Sequence, residues 1–176
     1  EGKTEPFIVV TMNNQQYGQG AGHSGANWKY SEIETDQIDY IMPYVESHYN
    51  VSTTAEGRAY AGLSMGGSTT SNMLIHHTEL FGYYGIWSYA NVDGSFGGVE
   101  GITSQSVRSH LSSLTVKPKI MLAAGNWDFG LAPVKTFGEN LSKLGLDYSY
   151  LQVPAAHDWE CWQLIFANAA ENFLWK

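Results

Sequence analysis

The chain reads as an α/β domain, with a mostly parallel sheet flanked by helices, and two observations carry that expectation. Short, almost continuously apolar runs alternate with longer stretches of helical periodicity. That is the pattern of central strands covered on both faces and joined by right-handed crossovers. One apolar run leads through Gly62-Leu63-Ser64-Met65-Gly66 into a stretch of small and apolar residues. This is the Gly-x-Ser-x-Gly pattern of a nucleophile elbow, in the strand-to-helix setting such an elbow requires.

The first expected strand is residues 6–12 (PFIVVTM), followed by a loop over 13–28 rich in Gly, Asn and Gln. Over residues 33–48, Ile33, Ile38, Ile41, Tyr44 and Val45 fall on roughly one face of a helix. Glu32, Glu34 and Asp36 lie near its start, where the helix dipole favours them. Residues 59–63 form the second strand, 67–77 the helix behind it, and 83–87 (YYGIW) the third strand. A Gly-rich loop covers 91–101, and His110 lies in a polar stretch read as solvated. Residues 119–124 (KIMLAA) and 148–153 (YSYLQV) are the last two strands, and 134–144 and 161–174 the remaining helices. There is no repeat and no linker. Asn50-Val51-Ser52 and Asn140-Leu141-Ser142 fit the glycosylation sequon, a match that occurs cheaply by chance.

At 176 residues, 43% of them hydrophobic, the chain suits a single domain spanning 1–176. Nine basic against seventeen acidic side chains give a net charge of −8, which argues against nucleic acid or anionic membranes as partners. The single cysteine, Cys161, can form no intramolecular disulfide. No apolar run reaches membrane-spanning length, and no signal peptide is visible.

At an elbow the serine sits in a strained backbone conformation, and Gly62 and Gly66 flank it because a Cβ at either place would collide with the neighbouring strand or helix. The turn raises the Ser64 hydroxyl out of the sheet and aims the Met65 N–H at a developing oxyanion. Such a serine needs a histidine base and a carboxylate to orient it, in the chain order Ser, Asp or Glu, His. In an open parallel sheet, functional groups collect beyond the carboxyl ends of the strands. Asp128 stands just past the strand at 119–124, and His157 just past the last strand. Serine, acid and histidine therefore fall in the required order at three strand ends.

The other candidates are placed less well. His76 and His77 lie on the helix behind the elbow, His48 ends a helix, and His23 sits in the Gly-rich loop with no strand end to hold it. Asp158 adjoins His157, and Asp147 precedes its strand, at the wrong edge. Metal catalysis has no support, since neither His-x-x-x-His nor Cys-x-x-Cys spacing occurs. Aromatic side chains crowd the same rim. Trp87, Trp127 and Trp159 suit the binding of flat phenolic or sugar rings and equally suit core packing, whereas Trp162, at the start of an amphipathic helix, reads as core.

RAYAGLSMGG, the preceding IMPYVESHYNV, AAGNWDFG and AAHDWECW together resemble the feruloyl and acetylxylan esterases of the first carbohydrate esterase family, from about Pro6 to the C-terminus. The resemblance implies an α/β-hydrolase fold, a secreted enzyme without cofactor, and a triad of Ser64, Asp128 and His157. It implies as substrate a plant cell-wall ester, feruloylated xylan first and acetylated xylan second. Mycolyltransferases, siderophore esterases and S-formylglutathione hydrolases are similar around the elbow.

The front of the chain departs from the family, whose members begin with further strands and a His-Gly-rich loop supplying a second oxyanion donor. PFIVVTM resembles the strand after that loop, so one strand between it and the elbow strand is expected to be missing. A central strand removed from a parallel sheet leaves backbone groups unpaired. The expectation is a C-terminal fragment of a larger catalytic domain. The alternatives are a companion chain filling the gap, or a rebuilt sheet in which residues 13–16 lend the donor. From a different class, a non-catalytic carbohydrate-binding relic is the rival reading, and the presence of all three triad residues argues against it.

Overall fold

The computed structural model describes residues 4–12, 30–94 and 100–176. Among the described residues, four strands form one sheet: β1 (Ala59–Leu63), β2 (Tyr83–Trp87), β3 (Lys119–Gly125) and β4 (Ser149–Val153). They lie in the order β1-β2-β3-β4 and every pairing is parallel. Leu63 pairs with Trp87, Trp87 with Ala123, and Gly125 with Val153, so the carboxyl ends of all four strands finish along one edge. Each connection between neighbouring strands carries a helix: α3 (Met65–His76), α4 (Gln105–Ser112) and α5 (Leu131–Lys143). The final helix, α6 (Trp159–Asn172), follows β4.

The period-two alternation of the strands feeds two separate cores. Tyr84, Ile86, Ile120 and Leu122 pack with Met73, Leu74, Val107, Leu111, Val134, Phe137 and Leu141, joining one face of the sheet to α3, α4 and α5. Trp87, Met121, Ala123 and Val153 pack with Cys161, Ile165 and Ala169, joining the opposite face to α6. β2 is buried at every residue and β3 at all but its first, the mark of central strands.

Residues 6–12 do not form the expected strand. A strand needs a ladder partner, and among the described residues β1 pairs with β2 alone. Ile8, Val9 and Val10 are accordingly about half exposed, at 48%, 58% and 51%. The expected helix over 33–48 begins earlier and is interrupted: α1 (Tyr30–Thr35) runs through a π-helical segment, Asp36–Ile41, into α2 (Met42–His48). Pro43 stands in the first turn of α2, and its missing N–H prevents the α-helical ladder from continuing unchanged. Helix α4 was not expected. Two apolar residues spaced i, i+4, Val107 and Leu111, are all it buries, a weak signal among serines. Asn140 of the second sequon lies within α5, buried, with its amide donating to Thr136 O at 2.9 Å, so it is closed to glycosylation. The loop over 13–28 and residues 95–99 fall outside the described residues, as do His23 and the oxyanion donor sought at 13–16. No described helix is long and apolar enough to cross a membrane.

Behind the elbow, Glu34 of α1 ties to the end of α3. Its Oε1 lies 2.9 Å from His76 Nδ1 and its Oε2 3.6 Å from His77 Nε2. The hydrogen bond to Glu34 raises the His76 pKa above its ordinary value, outweighing burial, with a further contribution from the charges of Glu34 and Glu100. Stability from a histidine of raised folded pKa is fully present below the unfolded pKa and is lost as pH rises through the folded one. His76→Gln is therefore expected to lower Tm at about pH 5.5 and to matter progressively less towards about pH 8. A Tm difference that does not change with pH would remove the Glu34–His76 pair as its source.

Candidate active site

Side chains from just past the ends of β1, β3 and β4 meet at one site. Ser64 joins β1 to α3 at φ 55°, ψ −118°, a left-handed conformation that side chains with a Cβ rarely adopt. Its N–H donates to Trp87 O at 3.0 Å and its carbonyl accepts from Ser68 N at 3.2 Å, which pins the turn between strand and helix. The close approach comes from Gly62 and Gly67 rather than from Gly62 and Gly66. A Cβ on Gly62 would lie 2.3 Å from Gly66 O, and one on Gly67 2.5 Å from both Trp87 O and Tyr89 O. Among the described residues nothing lies within 4 Å of a Cβ on Gly66, so it needs no such excuse.

Asp128 lies in the loop between β3 and α5, and His157 in the loop between β4 and α6. The structure brings both to Ser64. The Ser64 hydroxyl donates to His157 Nε2 at 2.8 Å, and His157 Nδ1–H donates to Asp128 Oδ1 at 2.7 Å. Asp128 Oδ1 also accepts from Gly130 N at 2.7 Å, and the Asp128 side chain is fully buried. Its second oxygen, Oδ2, is buried with no hydrogen-bond partner among the described residues. A carboxylate so placed is desolvated, and its charge is left to interact with the imidazole at short range. The other described histidines make their contacts elsewhere: His48 Nδ1 meets Tyr44 O, His110 Nε2 meets Thr78 Oγ1, and His76 and His77 meet Glu34. Asp158 caps α6, accepting from Cys161 N at 3.0 Å.

Met65 is the first residue of α3. N–H groups in a first helical turn have no intrahelical acceptor and sit at the positive end of the dipole, so a negative charge beside Ser64 is favoured there. Of the tryptophans, Trp127 and Trp159 are 71% exposed and stand on the rim. Trp87 does not: its side chain points from β2 into the core beneath α6, edge-on to Phe166, and is 4% exposed. The strand alternation that puts Ile86 on one face sends Trp87 into the other, so the packing alternative holds for it. Two aromatics that sequence reasoning did not place here touch the histidine. Phe129, 68% exposed, lies over the imidazole with ring centroids 4.0 Å apart, and Trp162 meets it at 5.3 Å and 87°. Phe129 directly follows Asp128, and Trp162 lies one helical turn after Asp158; those positions were the available signals. Among the described residues, no three His, Cys, Asp or Glu side chains cluster as a metal site would need.

Residues 1–173 match the model of the Esterase family, described as "Putative esterase". The chain belongs to that esterase family. A stretch of 92 residues, 50% of the chain, is 34% identical to the endo-1,4-beta-xylanase/feruloyl esterase of Xylanibacter ruminicola and covers 12% of it. Among solved structures, a ferulic acid esterase of Anaeromyces mucronatus, in complex with ferulic acid, is 25% identical with a TM-score of 0.66, over 83% of this chain and 57% of that one. The S-formylglutathione hydrolase of Staphylococcus aureus is 21% identical with a TM-score of 0.66, over 86% of this chain and 64% of that one. The fold is that of these α/β-hydrolase-type esterases, and the chain spans less than two thirds of their length.

Proposed function

We propose that this esterase-family chain is a serine carboxylesterase acting on feruloyl esters of plant cell-wall xylan, as part of a secreted protein. The observation that carries the mechanism is the unbroken line of hydrogen bonds from Asp128 through His157 to Ser64, with the serine on a strained elbow. Ser64 Oγ attacks the ester carbonyl while its proton passes to His157 Nε2, and the imidazolium that forms is stabilised by Asp128. The oxyanion of the tetrahedral intermediate accepts from Met65 N–H. Collapse expels the alcohol, which takes the proton back from His157 and leaves the acyl group on Ser64. Water then gives its proton to His157, attacks the acyl carbon and releases the acid, and His157 returns the proton to Ser64 Oγ.

The acyl preference draws support from two sides. The relative in Xylanibacter ruminicola is named a xylanase/feruloyl esterase, and the structure in Anaeromyces mucronatus is of a ferulic acid esterase. Trp127 and Phe129 stand exposed in the loop that carries Asp128, and Trp159 at the first turn of α6, just past His157, an aromatic rim suited to a flat phenolic ring. Methyl ferulate hydrolysis by the 176-residue chain, with Ser64→Ala as the blank, tests the reading. Turnover that vanishes in the blank supports it. Turnover of acetyl esters alone would move the acyl preference to acetylxylan, and failure to label Ser64 with a fluorophosphonate would remove the serine mechanism.

A further inference from the structure

His157 is held at its two nitrogens, by Ser64 Oγ at 2.8 Å and Asp128 Oδ1 at 2.7 Å. Hydrogen bonds at Nδ1 and Nε2, with the Cβ–Cγ bond, hold the ring at one side and two corners, and its residual tilt is set by whatever packs against its faces and edge. Phe129 covers the ring but is itself 68% exposed. Trp162 is tied down. Its indole meets the imidazole nearly at right angles, Trp159 packs against it at 5.1 Å, and its Nε1–H donates to Ser88 Oγ at 3.1 Å.

Ser88 is the residue that follows β2, the one strand end without a part in the mechanism. It is fully buried and holds a φ of 59°. A non-glycine residue in that region is strained and persists only where its surroundings over-determine it. The surroundings here do so. Ser88 N–H donates to Ala123 O at 2.8 Å, and a Cβ on Gly130 would lie 1.7 Å from Ser88 O. Gly130 is also the residue whose N–H holds Asp128 Oδ1. Ser88 thus presses its backbone on the loop of the acid and gives its hydroxyl to the helix that borders the base.

We propose that Ser88 and Trp162 form a positioning pair that fixes the tilt of the His157 imidazole and keeps it in register with the Asp128 loop. The inference rests on His157 being the proton carrier of the proposed function. Neither residue contacts the reacting atoms; the pair acts through the orientation of His157.

The test removes each half of the hydrogen bond separately. Trp162→Phe keeps an aromatic ring without the N–H, and Ser88→Ala keeps the Cβ without the hydroxyl. Methyl ferulate kinetics and the rate of fluorophosphonate labelling at Ser64 are read for the full chain. Each variant is expected to lose about 10- to 100-fold in kcat, the scale of a misoriented catalytic group, with KM nearly unchanged and labelling slowed in parallel. The double variant should be no worse than either single one, since both remove the same bond. If Ser88→Ala does not fold, Ser88→Gly, which relieves the strain at positive φ and also lacks the hydroxyl, is expected to show the same loss of kcat. Wild-type kcat in the single variants, or losses that multiply in the double, would overturn the pair. His157→Ala separates this from the parent reading. Turnover surviving in that variant, or neither turnover nor labelling in the unaltered chain, would overturn the proposed function and the pair with it. Turnover abolished by His157→Ala but normal in the Ser88 and Trp162 variants would overturn the pair alone.

Discussion

Ser64→Ala is expected to cut ester turnover on the order of a millionfold in kcat while leaving Tm where it was. The magnitude is that of deleting the nucleophile, the role proposed for Ser64, from a triad that works as one unit. Stability is unaffected because alanine carries the same Cβ as serine into the φ of 55°, so the strain of the elbow is retained. Ser64→Gly separates the two quantities. It should be as inactive as the alanine variant yet more stable, by about 1 kcal/mol or more, because glycine adopts positive φ without the steric cost. Calorimetry on the two variants beside an ester assay checks both halves. A glycine variant no more stable than the alanine variant would mean that the turn at Ser64 is not strained. Wild-type hydrolysis in Ser64→Ala would sink the nucleophile assignment.

Replacing Asp128 is expected to be nearly as damaging, but the damage should depend on what replaces it. Asp128→Ala leaves His157 Nδ1–H without its acceptor, and a loss of about 10⁴-fold in kcat is the scale for removing the acid of such a triad. In other triads an asparagine here costs as much, because its amide turns and forces the wrong imidazole tautomer. In this chain Gly130 N–H also donates to Asp128 Oδ1, at 2.7 Å. An asparagine that turned its NH2 towards His157 would set that amino group against the Gly130 N–H, donor against donor. The oxygen is therefore held in place, the tautomer is kept, and chiefly the negative charge is lost. Asp128→Asn should retain at least about tenfold more kcat than Asp128→Ala, the difference that an oriented hydrogen bond supplies. Equal losses in the two variants would show that charge, and not the oriented acceptor, is what Asp128 contributes.

The relation between sequence and site follows from where information is local. Ser64 was legible because an elbow is written in five consecutive residues, and Asp128 and His157 because a parallel sheet collects its functional groups at strand ends. The same rule applied to the remaining strand end points to Ser88, but a serine with no recognisable motif around it gave no reason to stop there. What marks it out, a φ of 59° and full burial, exists only in three dimensions. Trp162 has the same history. Its place at the start of an amphipathic helix reads as core, and it is half-buried, yet its edge meets His157. Trp87 could be read either way, and register decided it: pairing Trp87 with Ala123 puts both on the face covered by α6.

The apolar run at 6–12 marks the limit of pattern reading. Val and Ile in succession satisfy every local preference for a strand, but a strand also requires a neighbour to complete its ladder, and no stretch of sequence carries that information alone. From its sequence the chain sets the α/β alternation, the elbow at Ser64 and the order Ser, Asp, His, because these depend on periodicity and on residues a few positions apart. The tertiary structure alone decides which Gly must lack a Cβ, which Trp faces the base, and how Ser88 joins the strand ends. Those depend on contacts between segments far apart in the chain, where distance and angle, rather than composition, determine what a side chain can do.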